Sequence, residues 1–312
     1  MPWNSPEEPG VPRPDLAGSP AGSSVAPNYR HKESPVISVP GKASRAAKRG
    51  ARTIRDHMHS RNEDSRLSHF FVELFSGSEA VSNQLRARGF EVFTFDKLQG
   101  PSGDLLRRSV LERVLRLMRT GMCLGVFAGI ECRTFSVMQG GRLRSAAFPA
   151  GLPNLPDHLR DKVKVGNALF GAGMVILSEC IKLRIPFILE NPQSSRMWDM
   201  PTNIALSNNP EVQDVVLDYC GYGARWRKTT KFRCFMLSPA HLARRCRPVG
   251  KLCGHSLQPH IILEGRDPTG VCWTSRASEY PAKLATALAR LMIDGAFASV
   301  FADRVAEMRF RK

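Results

Sequence analysis

The chain has 312 residues, 42% of them hydrophobic, enough to bury one sizeable core but not two full domains without leaving both small. Its 45 Lys and Arg against 28 Asp and Glu give a formal charge of +17, a field that attracts polyanions and makes nucleic acid the expected partner. The sequence has no run of about 18 or more apolar residues and no apolar segment near its start, which argues against membrane spans and secretion, so an intracellular location is expected.

Residues 1–66 are rich in Pro, Ser, Gly, Ala, Arg and Lys, and read as a disordered basic tail. Within it, residues 41–55 (GKASRAAKRGARTIR) suit phosphate contact or a nuclear address as well as plain solvation. One domain is expected over residues 67–300, followed by a basic C-terminal tail, 301–312. From Phe70 onward short apolar runs alternate with helical patterns, the signature of an α/β fold in which helices cover both faces of a parallel sheet. Residues 70–75 (FFVELF) read as a buried strand, 79–88 as a helix, 90–95 (FEVFTF) as a strand, 110–118 as a helix and 123–128 (CLGVFA) as a strand. A long helical pattern over 163–183 precedes the strand 186–189 (PFIL); 215–218 and 260–263 are shorter strand candidates, and 281–293 reads as the closing helix. Under reducing conditions the cysteines at 123, 132, 180, 220, 234, 246, 253 and 272 are core filler, metal ligands or nucleophiles.

Open sheets of this kind bind ligands at the carboxyl ends of their strands. The first strand runs through Glu73 and Phe75 into a turn at Gly77, where a glycine lets the backbone approach a bound group; a turn needing positive φ explains Gly77 equally well. Asp96 ends the second strand, where ribose hydroxyls commonly meet an acid, and Asp104 follows after a short loop; a solvated Asp is the competing reading of each. The third strand leads to Glu131-Cys132-Arg133, a thiol that acts as a nucleophile or simply packs. The fourth leads to Glu190-Asn191-Pro192, an acid for proton transfer or a helix cap. Residues 222–232 (YGARWRKTTKF) bring Arg225, Arg227, Lys228 and Lys231 together around Trp226, a grip for phosphates or an ordinary basic loop.

Taken in order, these segments resemble the motifs of the cytosine-C5 DNA methyltransferases. The first strand and its turn are similar to the family's D-L-F-x-G-x-G-G, with Glu73 for the Asp and Glu79 where a Gly is expected. Residues 129–136 are similar to P-C-Q-x-F-S, keeping Cys132, Phe135 and Ser136, with Glu131 for the Pro and Arg133 for the Gln. Glu190-Asn191 is similar to E-N-V, and 222–232 to Y-G-x-P-Q-x-R-x-R without its Gln. GLPNLPDHLRDKVKVGNAL and ENPQSSRMW are similar to phrases of compact methyltransferase-like domains found beside mobile-element proteins. Gly166-Asn167-Ala168 is similar to the family's last motif but stands out of order, and reads as helix. The resemblance runs from about residue 70 to 290, with only some fifty residues between Phe232 and the closing helix, where the family usually places a large target-recognition segment.

The resemblance implies a Rossmann-like class I methyltransferase sheet that binds S-adenosylmethionine through Glu73, Phe75, Gly77, Asp96 and Asp104. It implies that Cys132 adds to carbon 6 of a flipped cytosine, that Glu190 protonates or hydrogen-bonds the ring, and that Arg227 holds the substrate, DNA in preference to RNA. Glu79 would put a charge in the path of the cofactor's methionine part. An inactive domain serving as a basic nucleic-acid-binding module, and a methyltransferase with another substrate, are the rival readings. Separately, Cys246-x6-Cys253-x-His255-x4-His260 offers four zinc-capable side chains in fifteen residues, with core packing as the competing explanation.

Overall fold

In the computed structural model, residues 68–137 and 142–310 are described; the expected tail over 1–66 lies outside them. Six strands, β1 (Phe70–Leu74), β2 (Glu91–Phe95), β3 (Cys123–Gly129), β4 (Phe187–Pro192), β5 (Val212–Asp218) and β6 (Thr229–Phe235), form one sheet in the order β2-β1-β3-β4-β6-β5. The helices are α1 (Ala80–Arg86), α2 (Arg108–Met118), α3 (Asp157–Leu183), α4 (Pro201–Ser207), the single turn α5 (Trp273–Arg276) and α6 (Ala282–Phe310). β2, β1, β3 and β4 pair in parallel, while β6 runs antiparallel between β4 and β5.

The apolar run of β1 is buried along its whole length because both faces of the sheet are covered. Phe70, Val72 and Leu74 point to a core built with Val110, Val114 and Met118 of α2 and Phe170, Met174 and Leu177 of α3. Phe71 points the other way, into a core with Val81 and Leu85 of α1 and Leu284, Leu288 and Met292 of α6. α3 has an 18-residue stretch of mean hydropathy 1.3, long and apolar enough to cross a membrane; half of that stretch is buried within the fold.

β1 is followed in the sheet by β2 on one side and β3 on the other. Between β1 and β3 the winding reverses, and the crevice outside their carboxyl ends is where open α/β sheets receive ligands. The turn after β1 and the Cys132 loop after β3 both stand at this end of the sheet.

Five expectations are corrected, the first being an all-parallel sheet, since β6 pairs antiparallel with both β4 and β5. Residues 260–263 form no strand: Ile261 N–H bonds the Arg225 carbonyl at 2.9 Å, and Ile262 is exposed. The basic segment near 230 is a strand, β6, whose Phe232 and Cys234 enter the core. The helix expected over 163–183 begins at Asp157, behind Pro156, and the closing helix runs from Ala282 through the expected tail boundary to Phe310.

Candidate active site

The turn after β1 is tightly specified. Phe75, Gly77 and Glu79 all take left-handed backbone, with φ of 56°, 48° and 54°. For Phe75 and Glu79 that conformation costs roughly 1–2 kcal/mol each, so the surrounding contacts must hold it. Glu73 supplies one of them: it is 1% exposed, and its carboxylate accepts from the Ser82 N–H at 2.8 Å and from the Ser82 hydroxyl. Burial pushes its pKa up to about 7 against the lowering effect of Ser82. Glu73 therefore anchors α1 to the strand end.

The left-handed backbone at Glu79 is the physical reason a glycine suits this position. The Glu79 carboxylate lies on the β2 side of the turn, bonded by Arg86 at 2.5 Å, Gln99 at 3.0 Å and Thr94 at 3.1 Å. Its charge is thereby paired; the Arg86 hydrogen bond holds its pKa below the usual carboxylate value. Asp96 accepts from Gly77 N–H at 3.0 Å and Leu98 N–H at 2.8 Å, so the ends of β1 and β2 are stitched together. Asp104 caps its own loop through Leu106 N–H at 3.0 Å. The structure thus brings Gly77 and Asp96 together at the strand ends, next to the buried Ser76, whose hydroxyl has no protein hydrogen-bond partner.

Cys132 and Glu190 leave adjacent strands, since Gly129 of β3 is in register with Glu190 of β4. Glu190 is 6% exposed. One of its oxygens accepts from the Tyr280 hydroxyl at 2.9 Å; the other has no hydrogen-bond partner and lies 3.9 Å from the Lys228 ammonium. Lys228 also reaches the Tyr219 hydroxyl at 3.3 Å. Burial favours the neutral amine of Lys228, but Tyr219, Glu190 and Cys132 outweigh it and hold the ammonium above the usual lysine range. Burial likewise pushes the Cys132 thiol up; Lys228 pulls it down, and Glu190 and Glu131 raise it further. Arg133 and Lys97 both pair with Glu131, at 3.3 and 2.9 Å. Asn191 donates to the Ile130 carbonyl at 2.7 Å, and its buried side-chain oxygen has no partner.

Gly129 must lack a side chain, because a β-carbon there would sit 2.8 Å from the Tyr280 hydroxyl. The loop carrying Cys132 is braced from behind by Arg144. Its guanidinium, 3.7 Å above the Phe135 ring, donates to the Thr134 carbonyl at 3.0 Å, the Asn167 side chain at 2.7 Å and the Pro149 carbonyl at 2.6 Å. Gly166 of α3 is where this loop meets the helix, and a β-carbon there would run into Thr134. The Gly166-Asn167-Ala168 triplet is helical, as expected, and its role is packing.

Among the cations expected to grip substrate, Arg227 pairs with the buried Asp218 at 3.5 Å, and Lys231 with Asp214 at 3.5 Å, while Arg225 is exposed. Lys228, not Arg227, is the cation beside Glu190. Sequence reasoning missed Tyr219, Tyr280 and Arg144, none of which has a readable local signal, and named Asn191 only as part of Glu-Asn-Pro without a role. A groove of about 960 Å³ between α3 and α4, lined in part by Phe170, Met174, Met200 and Leu206, includes none of the residues named at the strand ends.

Known proteins give no match, either to a family model or to a curated sequence.

The expected metal-ligand set is revised by the fold. Cys246, Cys253 and His260 do converge, but the fourth member of the cluster is Cys220, in the turn after β5. His255 contributes its backbone N–H, which donates to the Cys253 sulfur at 3.4 Å, while its ring lies by Gly221.

Proposed function

We propose that this chain is an S-adenosylmethionine-dependent methyltransferase acting on carbon 5 of cytosine in nucleic acid, on a Rossmann-like class I sheet. The observation that carries the reading is the group at the ends of β3 and β4: the Cys132 thiol in the loop after β3, the buried Glu190 carboxylate with an oxygen that has no hydrogen-bond partner, and the Lys228 ammonium 3.9 Å from that oxygen. An unpartnered buried acceptor costs about 1–3 kcal/mol, a cost relieved by a ligand with N–H donors. The cytosine amino group and a protonated ring nitrogen are such donors. Asn191 supplies a second unpartnered oxygen on the same strand.

The crevice fits the cofactor by the chemistry of its lining. Gly77 faces open space, with no atom within 4 Å of where a β-carbon would stand, the Ser76 hydroxyl is unpartnered, and Asp96 is the acid at the β2 end. Gly77, Ser76 and Asp96, with Phe75 and Asp104, would hold S-adenosylmethionine, and Glu73 would act from behind by fixing the turn. When bound, the cofactor supplies an electrophilic methyl group.

The protein's own part is to make carbon 5 nucleophilic. The Cys132 sulfur bonds to carbon 6, and the electrons of the 5,6 double bond move toward carbon 5 as Glu190 donates a proton or hydrogen bond to the ring. Loss of the carbon 5 proton to a base then restores the double bond and expels the sulfur. Cys132 must react as thiolate, and Lys228 is the cation placed to favour it. A non-catalytic nucleic-acid-binding domain is the second reading, favoured by the raised Cys132 thiol.

Incubation with labelled S-adenosylmethionine and DNA or RNA, followed by nucleoside analysis, tests the proposal. Label is expected in 5-methylcytosine, with Cys132→Ser lowering transfer by roughly 10⁴-fold or more and Glu190→Gln by roughly 10²–10⁴-fold. Cofactor binding without transfer to any cytosine would favour the binding-domain reading.

A further inference from the structure

We infer that Cys220, Cys246, Cys253 and His260 bind one zinc ion, and that this ion holds the turn carrying Tyr219 and Lys228 against Glu190. The sulfurs of the three cysteines and a ring nitrogen of His260 all lie within 4.8 Å of one another. Zn–S bonds of about 2.3 Å and Zn–N bonds of about 2.0–2.1 Å, arranged tetrahedrally, separate two sulfurs by about 3.8 Å and a sulfur from a nitrogen by about 3.6 Å. Cys246 Sγ is 3.7 Å from Cys253 Sγ and 3.7 Å from His260 Nε2. A disulfide would bring two of the sulfurs to about 2.05 Å; all three cysteines are free.

Core packing does not account for the details. Apolar filler needs no imidazole in contact with a thiol and no backbone N–H aimed at a sulfur, whereas a metal thiolate uses both, one as a co-ligand and one as support. Gly254 lets the loop fold this tightly, since a β-carbon there would run into the Arg247 carbonyl. Four protein donors on a cluster whose cysteines are buried leave no open position, the pattern of a structural site.

The ligands join distant segments: Cys220 follows β5, and the other three follow β6. Asp218, two residues before Cys220, is fully buried and bonds Cys246 N–H at 2.7 Å, Arg245 at 3.2 Å and the Thr229 hydroxyl. Tyr219 and Lys228 are the immediate neighbours of Asp218 and Thr229, so closing the cluster fixes the cation that faces Glu190. The metal site stands independently of the methyl-transfer reading.

The full chain, purified under reducing conditions and dialysed against metal-free buffer, should carry about one zinc per chain by mass spectrometry. Cys220→Ser and His260→Ala should lose it, while His255→Ala keeps it. Stripping zinc from the wild type with a chelator should lower its melting temperature and be reversed by added zinc. Wild-type protein without stoichiometric zinc, a different metal in its place, or loss of zinc in His255→Ala with retention in Cys220→Ser would overturn the inference. The wild-type measurement decides even if the variants fail to fold.

Discussion

Glu73 carries a charge-dependent cost that a single substitution can expose. Its pKa is raised from 4.5 to about 7, so between those values the folded chain binds more protons than the unfolded one, and stability falls as pH rises. A shift of this size amounts to about 3 kcal/mol. Glu73→Gln keeps an acceptor for Ser82 and removes the titration. In urea unfolding, the variant should gain stability over the wild type at pH 8 and lose most of that advantage at pH 4; an equal difference at both would show that the burial of Glu73 carries no charge cost. At this scale the sequence located Cys132, Glu190, Gly77 and Asp96, because each stands at a strand end. It could not choose between Arg227 and Lys228: consecutive side chains of an extended segment point in opposite directions, and only the packed sheet decides which one meets Glu190.

Between elements, the decisive joint is that of the Cys132 loop with α3. Arg144→Leu would leave the Thr134 and Pro149 carbonyls and the Asn167 side chain without their donor, a loss of about 2–4 kcal/mol. It should also speed alkylation of Cys132 in the folded protein, a readout that a general loss of stability elsewhere would not single out. Unchanged alkylation would mean that Arg144 does not position the loop. The strands β1, β3 and β4 were legible because covered parallel strands appear as apolar runs, and the edge strand β2 because its Val and Phe residues suit a strand although Glu91 is exposed. β6 was obscured: its alternation of Lys231, Phe232, Arg233 and Cys234 is a strand pattern, but the charges also suit a phosphate-gripping loop. Lys231 and Arg233 are instead neutralised by Asp214 of β5, the neighbouring strand. Residues 260–263 have the apolar composition of a strand, yet their start serves the cysteine cluster and their backbone meets Arg225. Tyr280 and Cys220 had no local signal, because only the return of α6 and the turn after β5 bring them to their partners.

For the whole molecule, a formal charge of +17 makes polyanion binding the expected long-range property. If about six phosphates are contacted, affinity for duplex DNA should fall by roughly 10³-fold between about 50 and 200 mM salt. A flat dependence in a titration series would contradict a phosphate-dominated interface. An α/β architecture with helices on both faces of a sheet was legible from the alternation of elements; the expected all-parallel pairing was not correct, because β6 runs antiparallel to β4 and β5 and that placement depends on long-range pairing.

The central claim is that Cys132 is a nucleophile toward cytosine. Carbon 5 bearing fluorine cannot release its substituent to complete the elimination, so a nucleic acid containing 5-fluorocytosine should become covalently attached to the protein in the presence of S-adenosylmethionine. Peptide mapping of that adduct is the most direct measurement. Attachment is expected at the Cys132 sulfur and should be abolished in Cys132→Ser with cofactor binding retained. Attachment at Cys123, Cys180 or another residue, or none at all while cofactor is bound, would contradict the claim.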